Sequence, residues 1–308
     1  MDTYTIAFHY PCADGAFAMK LEYDSLVHSG VEPKNITLVA VDYRQAASLL
    51  SKFEHCRAGE IVYFLDTIGS PEVIAALLDR ECHVIVVEHH EEAYNKVKDI
   101  KHKNLVLVYK SHQCATKMVF LQNKDTHLRF VVESDLEKLV GLIDDHDRQA
   151  KQLEDTEAYY AGLCDLKLEY DPAKNSEILS QLDRIDVNEL VSRGKAIVAN
   201  NKSIVASILE KPFPVRIGEW DIPTVIVTPQ QYISLSTELG VALANQSGHF
   251  GMVGATFTNA DGSKTQKFSV RSIGEKHDTR TVAKMFGGGG HFGASGFVYN
   301  GPLVMQLL

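Results

Sequence analysis

The chain has 308 residues, more than one compact domain usually holds, so its length predicts two domains. Hydrophobic residues make up 45% and charged residues 23%, and no apolar run is long enough for a membrane span. The formal net charge of −9 argues against a protein that coats long nucleic acid, although acids gathered around divalent cations would also produce it. The first residues do not resemble a signal peptide, and the five cysteines are scattered, so we expect a cytoplasmic protein with reduced thiols.

The first half of the chain alternates short apolar runs with helix-like segments. The runs predict strands at 3–8, 36–41, 61–66, 83–88 and 105–109. The segments between them predict helices at about 15–29, 44–54, 71–81 and 113–123. Because the strands are almost continuously apolar and alternate with helices, we expect an α/β fold with a doubly wound, mostly parallel sheet.

The second half of the chain has a different hydrophobic pattern. The segment 133–210 is mostly helical in pattern, and after Pro212 and Pro214 strand-like runs flank two further helical segments. We therefore predict an N-terminal α/β domain over 1–190, a helical connector over 191–211 and a smaller α/β domain over 212–308.

Polar residues interrupt the apolar runs where the predicted strands end. In HYPCADG, His9 ends the first strand and Asp14 begins the following helix, while Asp66 in FLDT follows an apolar strand. Each Asp also has an interpretation as a helix cap or turn residue. Open α/β sheets place their sites along the carboxyl edge, so these three residues are candidates for one crevice.

Two further segments are rich in acids and histidines. In VVEHHEE, His89 and His90 follow a buried strand, and Glu88 is placed to orient an imidazole ring. In IDDHDR (143–148), three acids end a helical run and repel one another unless cations or Arg148 balance them. A solvated strand end or helix end would explain either segment equally well. As ligands, this mixed nitrogen and oxygen set suits Mn²⁺ or Mg²⁺ better than structural Zn²⁺.

A run of four glycines occupies 287–290 within FGGGGHFGASGF. Consecutive glycines are unfavourable inside a helix or strand, but they allow backbone N–H groups to approach an anion closely. His291 follows at once, and Arg271 in FSVRS lies on the preceding predicted strand. Because apolar residues flank the run, we predict a phosphate-binding nest in preference to a flexible tail.

Together these motifs resemble the DHH family of phosphoesterases. The resemblance rests on H-x-P-x-x-D-G, a strand-terminal Asp, x-H-H after a strand and a later D-x-D. The ending RS…GGGGH…A-x-G-F resembles the DHH-associated domain that follows the catalytic domain in many members. The family includes bacterial nanoRNases that also dephosphorylate adenosine bisphosphate, RecJ-type exonucleases and cyclic-dinucleotide phosphodiesterases.

The resemblance implies two Mn²⁺ ions, with Mg²⁺ as the alternative. One ion would be bound by His9 and Asp66, and Asp66 would bridge to the other. The ligands of the other ion would be Asp14, Asp66, His89 and Asp145. Asp147 is the alternative to Asp145, because the register inside DDHDR is open.

The resemblance also implies roles in catalysis and substrate binding. The catalytic candidates are His89, His90 and Asp66, with His90 contacting the phosphate and helping to protonate the leaving oxygen. In the second domain the nucleotide would be held, with help from Ser269, by Arg271, Gly288, Gly289, Gly290 and His291.

Two positions depart from the family pattern. Glu88 replaces the Asp that gives the family its name, and it keeps a carboxylate at a position that mainly supports the ligands. Cys12 replaces an Asp of the first motif and substitutes a thiol for a hard oxygen ligand. A thiolate would favour a softer metal, and a neutral thiol would weaken the first site.

The leading functional prediction is an Mn²⁺-dependent phosphoesterase that cleaves nucleotides or short single-stranded oligonucleotides with metal-activated water, as an exonuclease or oligoribonuclease does. The alternative within enzymes is a pyrophosphatase or short-chain exopolyphosphatase. A different class of protein, a catalytically weakened scaffold that binds single-stranded nucleic acid, is supported only by Cys12. We expect a monomer or homodimer without a membrane partner.

Overall fold

The computed structural model describes residues 3–42, 49–124, 133–171, 174–274 and 276–299. Packing within the chain divides it into two units, Met1–Val198 and Ala199–Leu308. The division falls inside one long helix, Val187–Ile208. Among the described helices, none combines the length and the apolar character that crossing a bilayer requires.

The first unit contains a five-stranded parallel sheet. Its strands in chain order are β1 (Tyr4–His9), β2 (Ile36–Val41), β3 (Ile61–Leu65), β4 (His83–Glu88) and β5 (Leu105–Tyr109). Their spatial order is β2-β1-β3-β4-β5, with every neighbouring pair parallel. In this order the winding reverses between β1 and β3, which is where open α/β sheets bind ligands.

Helices cover both faces of this sheet. They are α1 (Ala13–His28), α2 (Pro71–Asp79), α3 (Glu91–Val97), α4 (Ala115–Gln122), α5 (Glu133–Asp147), α6 (Thr156–Leu166), α7 (Asn175–Asp183) and α8 (Val187–Ile208). Ile6 and Phe8 pack into the core that contains residues of α1, α4 and α5, whereas Ala7 packs into the core that contains residues of α2. Successive strand residues point to opposite faces, so the continuously apolar strands are buried on both sides. The predicted doubly wound α/β architecture is confirmed.

The second unit is a mixed sheet with helices. Its strands are β6 (Phe213–Ile217), β7 (Trp220–Val227), β8 (Phe250–Thr258), β9 (Lys264–Ser272), β10 (Gly289–His291) and β11 (Ala294–Tyr299). The spatial order is β10-β11-β9-β8-β7-β6, and within it β7 and β8 are parallel while the other pairs are antiparallel. Helix α9 (Pro229–Ser247) packs with Val253 of β8, and α10 (Thr279–Lys284) packs with Met252 on the other face.

The structure differs from the sequence prediction in several elements. The predicted helix at 44–54 falls partly on residues 43–48, which lie outside the described ranges, and the described remainder contains a single 3-10 segment, Leu50–Phe53. Strand β10 was not predicted, because Gly-Gly-His has no intrinsic preference for a strand. It forms by pairing with β11, so its existence depends on a partner further along the chain.

Two helical glycines provide a matched test of the packing. A Cβ on Gly194 of α8 would lie 1.6 Å from the Ala158 carbonyl oxygen of α6, whereas a Cβ on Gly141 of α5 would meet only Leu153 Cδ1 at 3.6 Å. We expect Gly194→Ala to lower the free energy of unfolding by about 1–3 kcal/mol through overpacking. Gly141→Ala should leave it unchanged or raise it by up to about 1 kcal/mol. Urea denaturation followed by circular dichroism measures both, and equal effects would contradict the close approach of α6 and α8.

Candidate metal centre

The candidate site lies at the carboxyl edge of three neighbouring strands. His9 is the last residue of β1, Asp66 follows β3, and Glu88 ends β4 immediately before His89 and His90. Because β1, β3 and β4 are adjacent and parallel, their carboxyl ends deliver these residues to one place.

Asp66 occupies the centre of the cluster. Its buried carboxylate accepts a hydrogen bond from His9 Nδ1 on Oδ2 at 3.0 Å and one from His89 Nε2 on Oδ1 at 3.2 Å. The same Oδ1 lies 3.7 Å from His90 Nδ1. Burial opposes ionisation, but the hydrogen bonds from His89 and His9 outweigh it and hold the pKa of Asp66 down at about 2. Asp66 is therefore ionised at neutral pH.

Asp14 enters the cluster from the first turn of α1. Its two oxygens accept hydrogen bonds from the backbone N–H groups of Ala115 and Thr116, at 2.8 and 2.7 Å. It therefore caps the start of α4, a role that the sequence did not reveal. Oδ2 also lies 3.7 Å from His89 Nε2. Burial and then the nearby charge of Asp66 raise the pKa of Asp14 to about 7.

Two of the three acids at the end of α5 have structural partners. Asp144 is buried, and it pairs with Lys117 and Arg148. Asp145 is buried as well, and its carboxylate accepts three hydrogen bonds. The donors are Gln152 N–H at 2.8 Å, Leu153 N–H at 3.3 Å and Thr156 Oγ1 at 2.5 Å. Asp145 therefore fixes the turn between α5 and α6.

The structure brings Asp147, rather than the expected Asp145, to the cluster. Asp147 Oδ2 lies 3.2 Å from His89 Nε2, and this buried atom accepts no hydrogen bond from the part of the chain that the structure describes. Residues two apart on a helix are separated by roughly 200°, so only one of these two acids can face the sheet edge. Burial and then the charge of Asp66 raise the pKa of Asp147.

Glu88 orients the histidine pair. Its Oε1 accepts hydrogen bonds from the backbone N–H groups of His89 and His90, at 2.7 and 2.9 Å, and from His90 Nδ1 at 2.8 Å. The hydrogen bond to Glu88 is the main reason that the pKa of His90 is raised to about 9. Glu88 Oε2 is buried without a hydrogen-bond partner among the described residues. Glu88 thus supports His90 as a protonated imidazole.

Cys12 lies beside His9 and Asp66, and the donor atoms of these three residues are within 4.8 Å of one another. Cys12 is the N-cap residue of α1, but its side chain makes no capping hydrogen bond. Burial and then the charge of Asp66 raise the pKa of the Cys12 thiol well above its usual range. Without a cation the group is therefore a neutral thiol.

The donor set fits divalent cations. Three overlapping groups, each with donor atoms within 4.8 Å of one another, are Asp66-Glu88-His89-His90, His9-Cys12-Asp66 and Asp14-His89-Asp147. Asp66 and His89 each belong to two groups, so neighbouring cations would share ligands. Burial and then the charge of Asp66 raise the pKa values of Asp14 and Asp147, and divalent charge would favour both carboxylates.

In the second unit, the predicted anion-binding residues lie on β9 and at β10, two strands that β11 separates. Arg271 of β9 donates to Ser269 Oγ at 2.7 Å and to Thr237 Oγ1 at 3.0 Å, so its guanidinium has a fixed position. Its register partner on β11 is Ala294, which in turn pairs with the exposed His291 of β10.

The glycines of the run differ in what the fold requires of them. A Cβ on Gly288 would lie 2.2 Å from Gly296 O, and one on Gly290 would lie 2.6 Å from Ala294 O. Gly287 has a φ of +72°, which favours glycine. A Cβ on Gly289 would meet no atom within 4 Å. Close packing therefore explains Gly288 and Gly290, and backbone conformation explains Gly287, whereas Gly289 leaves open space for a ligand.

No family model and no curated protein sequence matches the chain. Among solved structures, 24 chains match. An uncharacterized protein from Helicobacter pylori is 16% identical, with 98% of this chain and 94% of that chain covered and a TM-score of 0.35. An exopolyphosphatase-related protein from Bacteroides fragilis is 14% identical, with coverages of 99% and 89% and a TM-score of 0.44. A pGpG-specific phosphodiesterase from Vibrio cholerae is 10% identical, with coverages of 96% and 93% and a TM-score of 0.49.

The two acids of α5 should respond differently to neutralisation. In chelator-containing buffer, we expect Asp145→Asn to lower the free energy of unfolding by about 1–3 kcal/mol, because it weakens hydrogen bonds to a buried carboxylate. Asp147→Asn should leave stability unchanged or raise it, because it removes repulsion with Asp66. Chemical denaturation of the two variants makes the comparison. If Asp147→Asn were the more destabilising change, the assignment of the two acids would be reversed.

Proposed function

We propose that this protein is a metal-dependent phosphoesterase that hydrolyses phosphate esters of nucleotides or short single-stranded oligonucleotides, with Mn²⁺ as the metal and Mg²⁺ as the alternative. The observation that carries the proposal is the convergence of His9, Asp66 and His89 at the point where the winding of the sheet reverses. A carboxylate shared by two histidines, with further acids beside it, is a set of hard and borderline ligands for such cations.

The chain offers ligands for two ions. One would be held by His9 and Asp66, with Cys12 beside them, and the other by Asp14, Asp66, His89 and Asp147. When bound there, divalent cations supply polarisation of a phosphate oxygen and a water of lowered pKa. Burial and then the charge of Asp66 raise the pKa values of Asp14 and Asp147, and nearby divalent cations would favour their ionised forms.

His90 is suited to act on the leaving group. The hydrogen bond to Glu88 raises the pKa of His90 to about 9, which favours the protonated imidazole, and the His90 side chain is half exposed. Nδ1 is engaged by Glu88, so the Nε2 proton is the one that can be donated. We propose that Nε2–H hydrogen bonds to the phosphate and then passes its proton to the alcohol oxygen as the ester bond breaks.

The second unit would supply the substrate-binding residues. The Gly289 backbone, the fixed Arg271 guanidinium and the exposed His291 all lie on the β10-β11-β9 part of the sheet. Backbone N–H groups and a guanidinium are typical ligands of a terminal phosphate. These residues would suit a phosphate group of a nucleotide.

Hydrolysis of a defined substrate panel tests the proposal. With Mn²⁺, we expect turnover of adenosine bisphosphate or dinucleotides above that of tripolyphosphate and of a 24-mer. Asp66→Asn and His89→Asn should each reduce kcat/KM at least about 100-fold, because Asp66 would bind both ions and His89 one of them. His83→Asn is the matched control, since His83 is exposed at the opposite end of β4.

Three outcomes would contradict the proposal. Preferred turnover of tripolyphosphate would indicate a polyphosphatase. Tight single-strand binding without hydrolysis under Mn²⁺, Mg²⁺ or Zn²⁺ would indicate a binding scaffold. Full activity in Asp66→Asn and His89→Asn would place catalysis elsewhere.

The glycine run allows the substrate-binding role to be tested apart from folding. We expect Gly289→Ala to change the free energy of unfolding by less than about 0.5 kcal/mol and to raise the KM for a nucleotide substrate about tenfold or more. Gly288→Ala should instead destabilise the second unit, because its Cβ would collide with the Gly296 carbonyl. An unchanged KM in Gly289→Ala would show that the β10–β11 hairpin does not bind the substrate.

A further inference from the structure

A second cluster of metal-binding side chains lies at the opposite, amino edge of the first sheet. Thr5 is the second residue of β1, and Glu60 immediately precedes β3. His9 is the fourth residue after Thr5 along β1, which corresponds to about 13 Å at 3.3 Å per residue. The cluster is therefore separate from the candidate metal centre.

The cluster joins three different kinds of donor atom. The ligand atoms of His55, Cys56 and Glu60 all lie within 4.8 Å of one another. His55 Nε2 is 3.6 Å from Cys56 Sγ. Thr5 Oγ1 donates a hydrogen bond of 2.6 Å to Glu60 Oε1 and lies 3.0 Å from His55 Nε2. These contacts gather the imidazole, thiol and carboxylate around one buried hydroxyl.

The spacing of the nitrogen and sulfur atoms suits Zn²⁺. Zinc binds cysteine sulfur at about 2.3 Å and histidine nitrogen at about 2.0–2.1 Å in tetrahedral geometry. Two such ligands are then about 3.6 Å apart. The observed separation of His55 Nε2 and Cys56 Sγ is 3.6 Å, which matches the spacing of two ligands on one tetrahedral Zn²⁺.

Glu60 has the properties of a ligand with an uncompensated charge. It is 5% exposed, and no Lys or Arg side chain within the described ranges forms an ion pair with it. Its oxygens accept hydrogen bonds from Thr5 Oγ1 at 2.6 Å and from Arg57 N–H at 3.2 Å, and the Cys56 thiol also donates to this carboxylate. Loss of the thiol proton on zinc binding would free that acceptor position for the cation. A bound cation would compensate the cost of burying this charge.

The thiol requires a cation in order to ionise. Burial and then the charge of Glu60 raise the pKa of Cys56 to about 12, so the free group is a thiol at neutral pH. Zinc binding replaces the S–H bond with a Zn–S bond and releases the proton to solvent. The imidazole binds through the Nε2 lone pair and carries its own proton on Nδ1, which the exposed position of His55 permits.

We propose that His55, Cys56 and Glu60 form a structural site for one Zn²⁺ ion at the amino edge of the sheet, distinct from the phosphoesterase centre. A bound ion would hold His55 and Cys56, which follow the segment Leu50–Phe53, against Thr5 of β1 and Glu60 before β3. A nitrogen, sulfur and carboxylate set suits a borderline-soft cation, in contrast to the mainly hard ligands at the carboxyl edge.

Cobalt substitution in the full-length, chelator-stripped protein tests the proposal. Co²⁺ bound to a thiolate gives a near-ultraviolet charge-transfer band, and a Cys12→Ser background removes the thiol of the other centre. We expect one equivalent of Co²⁺ to give the band in this background. The band should disappear when Cys56→Ser is added, and it should persist when Cys164→Ser is added as the control for an exposed cysteine.

Thermal denaturation supplies a second measurement. Zn²⁺ at 100 times its dissociation constant should raise the melting temperature of the Cys12→Ser protein by about 5 °C, and should not raise that of Cys12→Ser/Cys56→Ser. The zinc-induced shift is compared within each variant, so an intrinsic effect of the substitution on stability does not enter. A cobalt band that survives Cys56→Ser, or is absent from Cys12→Ser, would overturn the proposal. Hydrolysis is not measured, so the result does not depend on the proposed phosphoesterase activity.

Discussion

The carboxylate of Asp66 links the ends of three neighbouring strands, because His9 after β1 and His89 after β4 each donate to one of its oxygens. A buried charge of this kind is stable only when its oxygens are hydrogen bonded or paired. The two imidazoles donate these hydrogen bonds to Asp66, and the same bonds fix the positions of the rings. Asp66 adopts a left-handed backbone with a φ of +58°, which Asp tolerates better than most residues, so the chain can turn directly after β3. Asp14 and Asp147 then lie beside His89, which Asp66 holds in place.

Charge around Asp66 is balanced from two sides. Asp14 is held by the N–H groups at the start of α4, where the helix dipole favours a negative group. Asp147 has no comparable donor on its buried oxygen within the described chain, so its charge is compensated mainly by the histidines. Backbone N–H groups and histidines therefore balance the acids of the cluster, and divalent cations would balance them more strongly.

Much of this arrangement was predictable from the sequence. Strands that are buried on both faces carry nearly continuous apolar runs, and His9, Asp66 and His89 were visible as the polar residues that end those runs. The choice between Asp145 and Asp147 was not predictable, because it depends on the rotation of α5 and on Thr156, which donates a hydrogen bond to Asp145. Strand β10 could not be predicted for a related reason. A glycine-rich segment forms an edge strand only when a neighbouring strand, here β11, pairs with it.

The His55, Cys56 and Glu60 cluster was also missed. Its residues follow a segment with no clear period, and only the pairing of β1 with β3 brings Thr5 next to Glu60. An adjacent His-Cys pair with a Glu four residues later was the available signal. This sequence signal is weak unless the strand next to these residues is known.

Strand β1 carries polar groups at both ends, with Thr5 at one edge of the sheet and His9 at the other. Its side chains alternate between two cores, with Ile6 and Phe8 in one and Ala7 in the other. An inserted or deleted residue within this strand would exchange the two faces and displace one of its ends. Insertions and deletions among related sequences should therefore be absent from β1 and occur in the connecting loops.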